Sequence, residues 1–231
     1  MVRELHRNVI IDNCFFPDDL LYDMENFVWV DISNKNSIKL GITPIMSSIS
    51  GRVFSVKLKE KNIIIAKGKS VGSIESLKYF GIVRSPISGK IETGNNRIIE
   101  KPKLVNDSPY EQGWFVTIYP TNLENELKYL KKANDCRARF KIVIKDLNVR
   151  CFKYFPDYEL YEIGSECVAT LMKLDDLLSR IKVGEIVYLV SDDVTADIEL
   201  QRWSLENSQS VVDMRKEKNL FHFLIRKEKD I

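Results

Sequence analysis

Histidine is nearly absent from this chain: His6 and His222 are the only two among 231 residues. Ser-His-Asp or Cys-His catalysis would have to use one of them, and neither is well placed. His6 lies in a polar N-terminal segment expected to fray, and His222 lies in an alternating C-terminal run where it reads as a strand residue rather than a base. There is no glycine-rich phosphate loop and no closely spaced cysteine pair suited to zinc, so no metal site is expected. These gaps exclude the common forms of independent catalysis. No apolar run approaches the roughly 20 residues of a bilayer-spanning helix, and residues 1–7 lack the apolar core of a signal peptide. A cytoplasmic location is the expectation. A strong charge of one sign is also missing, because 35 Lys and Arg stand against 33 Asp and Glu for a net +2. The one basic stretch, residues 137–145, alternates with Phe140, Ile142 and Ile144, so it reads as the solvated face of a strand and not as a nucleic-acid surface.

Cysteine is sparse and scattered. Cys14, Cys136, Cys151 and Cys167 are too far apart in sequence to suggest a disulfide framework in a cytoplasmic-looking chain, so free thiols are expected.

What the chain does have, from residue 53 to residue 119, is a succession of short runs rich in Val, Ile and Phe. Val53–Leu58, residues 62–66 and residues 114–119 are bounded by Gly, Ser, Pro and Asn clusters, the pattern of a compact structure of short strands. The first long helical period comes after residue 121. Thr121 with Glu124 forms a capping-box pattern, and Leu123, Leu127 and Leu130 share a face of the helix expected to close the first domain.

Within the β-rich stretch, the string Gly72-Ser73-Ile74-Glu75-Ser76-Leu77-Lys78 is followed by Ser85-Pro86-Ile87-Ser88-Gly89. A lysine at a hairpin tip, followed by a strand and a proline turn, resembles the swinging-arm lysine of a lipoyl carrier. Upstream, Phe16-Pro17-Asp18-Asp19-Leu20-Leu21-Tyr22, Val28-Trp29-Val30 and Gly41-Ile42-Thr43 resemble the H protein of the glycine cleavage system. Downstream, Leu104-Val105-Asn106-Asp107-Ser108-Pro109-Tyr110 and Gly113-Trp114 keep that family's order and spacing, so the resemblance covers residues 16–133. It implies a lipoyl/biotinyl-type barrel-sandwich hybrid, lipoate held covalently on Lys78, and Glu75 and Ser76 as its neighbours in the recognition motif. H proteins usually carry a His-Glu pair before the strand tryptophan, where this chain has Phe27-Val28.

A second resemblance begins further on. Tyr158-Glu159-Leu160-Tyr161-Glu162-Ile163-Gly164-Ser165-Glu166-Cys167 resembles the strand, turn and reactive cysteine that open a TusA-like sulfur-carrier domain. Leu171, Leu174, Leu177, Leu178 and Ile181 then mark one apolar helical face that stops at Gly184. Asp192-Asp193, Asp197-Ile198, Trp203 and Phe223-Leu224-Ile225-Arg226-Lys227 continue the likeness, which implies a two-layer βαβαββ domain. The family's CPxP motif is here Cys167-Val168-Ala169-Thr170. By this resemblance Cys167 is the persulfide carrier, and a cysteine at a helix N-terminus is expected to favour its thiolate, with Glu166 opposing. Leu147-Asn148-Val149-Arg150-Cys151 offers an alternative approach that would make Cys151 the carrier.

The expectation is therefore an α+β chain: an H-protein-like domain over residues 1–133, a linker with a strand or hairpin over 134–156, and a TusA-like domain over 157–231. Its function would be that of a carrier rather than an independent enzyme, moving sulfur through lipoyl-Lys78 and Cys167, with sulfurtransferase activity as the added chemistry. The alternatives are an aminomethyl carrier of the glycine cleavage system and a non-lipoylated interaction scaffold. The implied partners are a lipoate ligase or lipoyl transferase, together with sulfur-transfer or heterodisulfide-reductase-like enzymes, or the glycine cleavage enzymes. Neither nucleic acid nor a membrane is expected as a partner.

Overall fold

The computed structural model describes residues 8–230, so His6 lies outside the described residues. The chain is of mixed α+β class and divides after Cys151 into two compact units.

The first unit opens on a hairpin, β1 (Asn8–Ile11) and β2 (Cys14–Pro17), joined by Asp12 and Asn13, both at positive φ. Two positive φ values in a two-residue loop are what a primed turn requires, and Asp and Asn tolerate them best after glycine. There follow β3 (Leu21–Asp23), β4 (Val28–Asp31), β5 (Ile38–Ile42), α1 (Pro44–Ser50), β6 (Val53–Leu58), β7 (Ile64–Ile65), β8 (Ser70–Ser76), β9 (Phe80–Arg84) and β10 (Gly89–Gly94). Then come α2 (Asn96–Glu100), α3 (Leu104–Asp107), β11 (Trp114–Pro120), α4 (Leu123–Leu127), β12 (Lys131–Lys132) and α5 (Ala133–Asp146). One sheet runs β12-β3-β4-β5-β11-β10-β7 and a second runs β6-β8-β9. Val28, Val30, Leu40 and Ile118 of the first sheet share one buried cluster with Val56, Val71, Ile74 and Val83 of the second. That shared core makes the unit a sandwich. Alternation decides which residues enter it: in β9, Gly81 and Val83 face inward while Phe80, Ile82 and Arg84 face solvent.

Three expectations fail in the segment after residue 121. The helix there is α4, only five residues long, and its N-cap is Asn122, which makes no side-chain cap bond. Thr121 instead donates its N–H to the Ser88 carbonyl, and Glu126 is turned inward, where its carboxylate accepts from Ser88 N at 2.7 Å and Ser88 Oγ at 2.6 Å. Residues 137–145 are not a strand but part of α5. Phe140, Ile142 and Ile144 do alternate, yet the buried set is Ala133, Cys136, Phe140, Val143 and Ile144, a helical face, while Ile142 is exposed. Nor is this stretch a linker. α5 completes a second core of the first unit, with Phe140 stacked on Phe16 at 4.1 Å and edge-on to Tyr22 at 5.5 Å. The free-thiol expectation fails at one pair: Cys14 and Cys151 form a disulfide across 137 residues, joining β2 to the end of the unit. Cys14 is fully buried and Cys151 part-buried.

The second unit contains β13 (Tyr158–Glu162), α6 (Cys167–Arg180), β14 (Ile186–Ser191), α7 (Ala196–Asn207), β15 (Ser210–Glu217) and β16 (Leu220–Arg226). Its sheet order is β13-β14-β16-β15, with β13 and β14 parallel and the other pairs antiparallel. Leu174, Leu178, Leu200 and Trp203 of the helices pack with Val187, Leu189, Phe223 and Ile225 on one face. Phe152 and Tyr154 partly cover the other face, over Ile186, Tyr188, Val190 and Leu224. With both faces occupied, β14 is buried along its whole length. His222 lies in β16, buried, with Nδ1 2.7 Å from the Tyr188 hydroxyl.

Candidate functional site

Lys78 occupies the three-residue loop between β8 and β9, paired so that Glu75 faces Phe80. The loop is closed by the Ser76 N–H, which donates to the Tyr79 carbonyl at 2.8 Å. The Ser76 hydroxyl accepts from Lys78 N at 3.1 Å and from Tyr79 N at 3.0 Å, and donates to the Ser50 carbonyl at the end of α1. Lys78 is exposed, Leu77 is 97% exposed, and Tyr79 is half-buried against the sandwich core. One side of the turn is thus anchored while its apex stands out. Glu75 is exposed on the same outward face as Phe80 and Ile82, both of which present large apolar surface to solvent.

The other strings singled out in the sequence support this frame. Gly41 leaves room for the Trp29 ring, which would lie 2.6 Å from a Cβ placed there, and Trp29 Nε1 donates to the Pro109 carbonyl at 3.1 Å. In the Ser-Pro turn, Ser88 is held by Glu126, and a Cβ on Gly89 would meet the Tyr119 carbonyl at 2.3 Å. Phe27 and Val28, which stand where H proteins carry His-Glu, pack into the two cores and offer no titratable group.

Cys167 is the first residue of α6 and is part-exposed. Its N–H donates to Asp193 Oδ2 at 2.9 Å, while Asp193 Oδ1 accepts from the Thr195 N–H and hydroxyl, each at 2.8 Å. Those Thr195 bonds hold the Asp193 carboxyl below its ordinary value, so it is charged at neutral pH. Burial, then the carboxylates of Asp193 and Glu199, push the Cys167 thiol up. The expected thiolate preference is therefore corrected, because desolvation and two anions raise the thiol at this helix start. The opposing groups are also different from the one anticipated, Glu166. Cys151 is corrected too: its sulfur is bonded to Cys14, and it follows α5 instead of starting a helix. Cys136 is a free, buried thiol, pushed up to about 11 by burial and by Asp135, with Lys131 acting the other way. The described residues contain no cluster of three or more His, Cys, Asp or Glu able to hold a metal, and no helix long and apolar enough to cross a membrane.

A sequence model of the glycine cleavage H-protein family matches residues 20–142, more than half of the chain. The chain belongs to the glycine cleavage H-protein family. "Glycine cleavage system H protein 2" of Aquifex aeolicus is 33% identical over 138 residues, covering 60% of this chain and 86% of that relative. "Probable glycine cleavage system H protein 2" of Sulfurisphaera tokodaii is 36% identical over 143 residues, covering 61% and 96%. A crystal structure of a glycine cleavage system H protein from Mycobacterium marinum gives a TM-score of 0.48 at 25% identity, covering 54% of this chain and 98% of that one. The H-protein match ends inside α5 and leaves the second unit outside it.

Lys78, Glu75 and Ser76 therefore all lie in the H-protein part, on one hairpin, and Cys167 lies in the other unit. Residue-level reading missed Ser50, the acceptor behind the lysine turn, because a contact 26 residues away leaves no local sequence signal.

Proposed function

We propose that this H-protein family member carries lipoate in amide linkage on Lys78 and moves a covalently held cargo between enzymes. The observation that supports this reading is the exposed position of Lys78 at the apex of an anchored hairpin. The fit is physical: a ligase can close over Leu77, Lys78 and Tyr79 without breaking core contacts other than those of Tyr79. When bound, lipoate supplies a dithiolane on a long flexible arm, able to hold sulfur or an aminomethyl group. Glu75, exposed, and Ser76, part-buried, lie at the base of the lysine turn that the ligase reads. The loading partner would be a lipoate ligase or lipoyl transferase.

Two cargoes are in play. The names of the relatives favour the aminomethyl group and the glycine cleavage enzymes as partners. Sulfur trafficking, with sulfur-transfer or heterodisulfide-reductase-like enzymes as partners, is the second reading, and it rests on Cys167, part-exposed at the first turn of α6 in an appended βαβαββ unit. A persulfide on Cys167 would need a partner that takes up the thiol proton, since burial, then Asp193 and Glu199, disfavour the thiolate. The absence of a titratable pair at Phe27-Val28 supports a departure from the usual H-protein cargo.

Incubation of the full-length chain with lipoate-protein ligase, lipoate and ATP, followed by intact-mass and peptide mapping, tests the main reading. One lipoyl adduct on Lys78 is expected. Lys78→Arg should take up none and change stability by no more than about 0.5 kcal/mol, as exposed substitutions away from caps and core usually do. Lipoate on another lysine would refute the assignment. Treatment with a persulfide donor tests the second reading, which fails if Cys167 gains no sulfur.

A further inference from the structure

A serine hydroxyl has one donor and two acceptor sites, and all three of Ser76 are in use. Its lone pairs receive the N–H groups of Lys78 and Tyr79, and its proton goes to the Ser50 carbonyl. Ser50 is itself fixed: it is fully buried at the last position of α1, and its own hydroxyl donates to the Met46 carbonyl at 2.7 Å. The next residue, Gly51, turns the chain at φ +72, a conformation that L side chains rarely adopt. From the far side, Asn106 of α3 holds the same corner. Its Nδ2 donates to the Gly51 carbonyl at 3.0 Å and to Ser47 Oγ at 2.9 Å, and its Oδ1 accepts from Val53 N at 2.9 Å. Asn106 is 6% exposed, so these bonds are made away from solvent. A continuous polar chain therefore runs from Asn106 through the α1–β6 corner to the Ser76 hydroxyl and ends on the two backbone amides of the lysine turn. None of Leu77, Lys78 and Tyr79 has a positive φ and none is glycine, so these bonds, together with the Ser76 N–H bond to the Tyr79 carbonyl and the packing of Tyr79, hold the turn without a left-handed residue.

We infer that Ser76 is a positioning residue for modification of Lys78, clamping the lysine turn to the α1–β6 corner so that a ligase meets it already ordered. This rests on Lys78 being the attachment point. Without the clamp, the ligase must order the three-residue turn on binding, and the cost falls on recognition rather than on the acyl-transfer step. The expected signature is a raised KM for the carrier with kcat little changed.

The test uses the apo full-length chain and lipoate-protein ligase with lipoate and ATP. In Ser76→Ala, kcat/KM for the carrier should fall about tenfold or more through KM, since three hydrogen bonds are lost at once. Modification should still run to one equivalent, whereas a misfolded fraction would plateau below it. Ser76→Thr keeps the hydroxyl and should recover most of the rate. Amide hydrogen exchange at Lys78 and Tyr79 should accelerate about tenfold or more in Ser76→Ala, with β6 and β8 protected as in the wild type. Asn106→Ala, which removes the far support and leaves the Ser76 hydroxyl, should loosen the same amides to a smaller degree. Unchanged exchange in Ser76→Ala would show that no clamp exists, and faster exchange with an unchanged KM would show that the clamp plays no part in modification. If the wild-type chain takes no lipoate on Lys78, the reading beneath the inference fails, while the exchange data still report on the clamp itself.

Discussion

At the scale of single residues, position in the chain and chemical state part company at Cys167. Its place at the start of α6 follows from the local pattern, with Gly164 at positive φ before it and the apolar face of Leu171, Leu174 and Leu178 after it. Its charge state does not, because Glu199 lies 32 residues later in sequence and reaches the thiol only through the packing of α7 against α6. The thiol is held up, so it should alkylate slowly at neutral pH and much faster as the pH rises past the ordinary thiol range. Glu199→Gln removes one of the raising charges, lowers the thiol pKa and should speed iodoacetamide labelling at pH 7.5, with less effect at pH 10. Equal rates for the wild type and this variant across the pH series would contradict the electrostatic cause. Cys136 should label more slowly than Cys167 in the folded chain because it is 3% exposed.

At the scale of elements, α5 is the clearest case of periodicity misread. Three alternate apolar residues suggested a strand, but Ala133, Cys136 and Val143 complete a helical stripe that packs on the β1–β2 hairpin and β3. That burial has a titratable consequence. The folded-state value of Cys136, about 11, lies above its unfolded value near 9. The stabilisation from keeping this thiol neutral is fully present below pH 9 and is lost as the pH rises through about 11. Urea unfolding of the wild type and Cys136→Ala from pH 8 to pH 11 should show the stability difference moving in favour of the variant over that window. A constant difference would mean that the thiol does not titrate differently in the two states. The β8–β9 hairpin is the opposite case. Its alternation and its loop can be read from the string around Lys78, while the clamp behind it depends on α1 and α3 arriving from elsewhere in the chain.

At the scale of the whole molecule, near-neutrality conceals a division. Residues 1–151 hold 24 Lys and Arg against 17 Asp and Glu, whereas residues 152–231 hold 11 against 16. The boundary between two separate sets of cores is also a boundary of charge sign. Because the cores are separate, calorimetry should resolve two unfolding transitions, and because the disulfide lies wholly within the first unit, reductant should lower only one of them. Loss of a disulfide closing so long a loop costs about 2–5 kcal/mol, a shift on the order of 5–15 °C for a unit of this size. A single transition, or two that move together, would contradict independent units. The sequence by itself determined the H-protein family, the lysine hairpin, the run of short strands and the order of helices and strands after residue 157, because these are written in local period, turn residues and motif spacing. Only the tertiary structure decided that residues 137–145 are helical, that Cys14 and Cys151 are bonded, that Asp193 and Glu199 raise the Cys167 thiol, and that Ser50 and Asn106 stand behind the lysine turn. Each of these depends on groups brought together across 26 to 137 residues of chain or on which face of an element is buried, and neither is encoded in the spacing of neighbours.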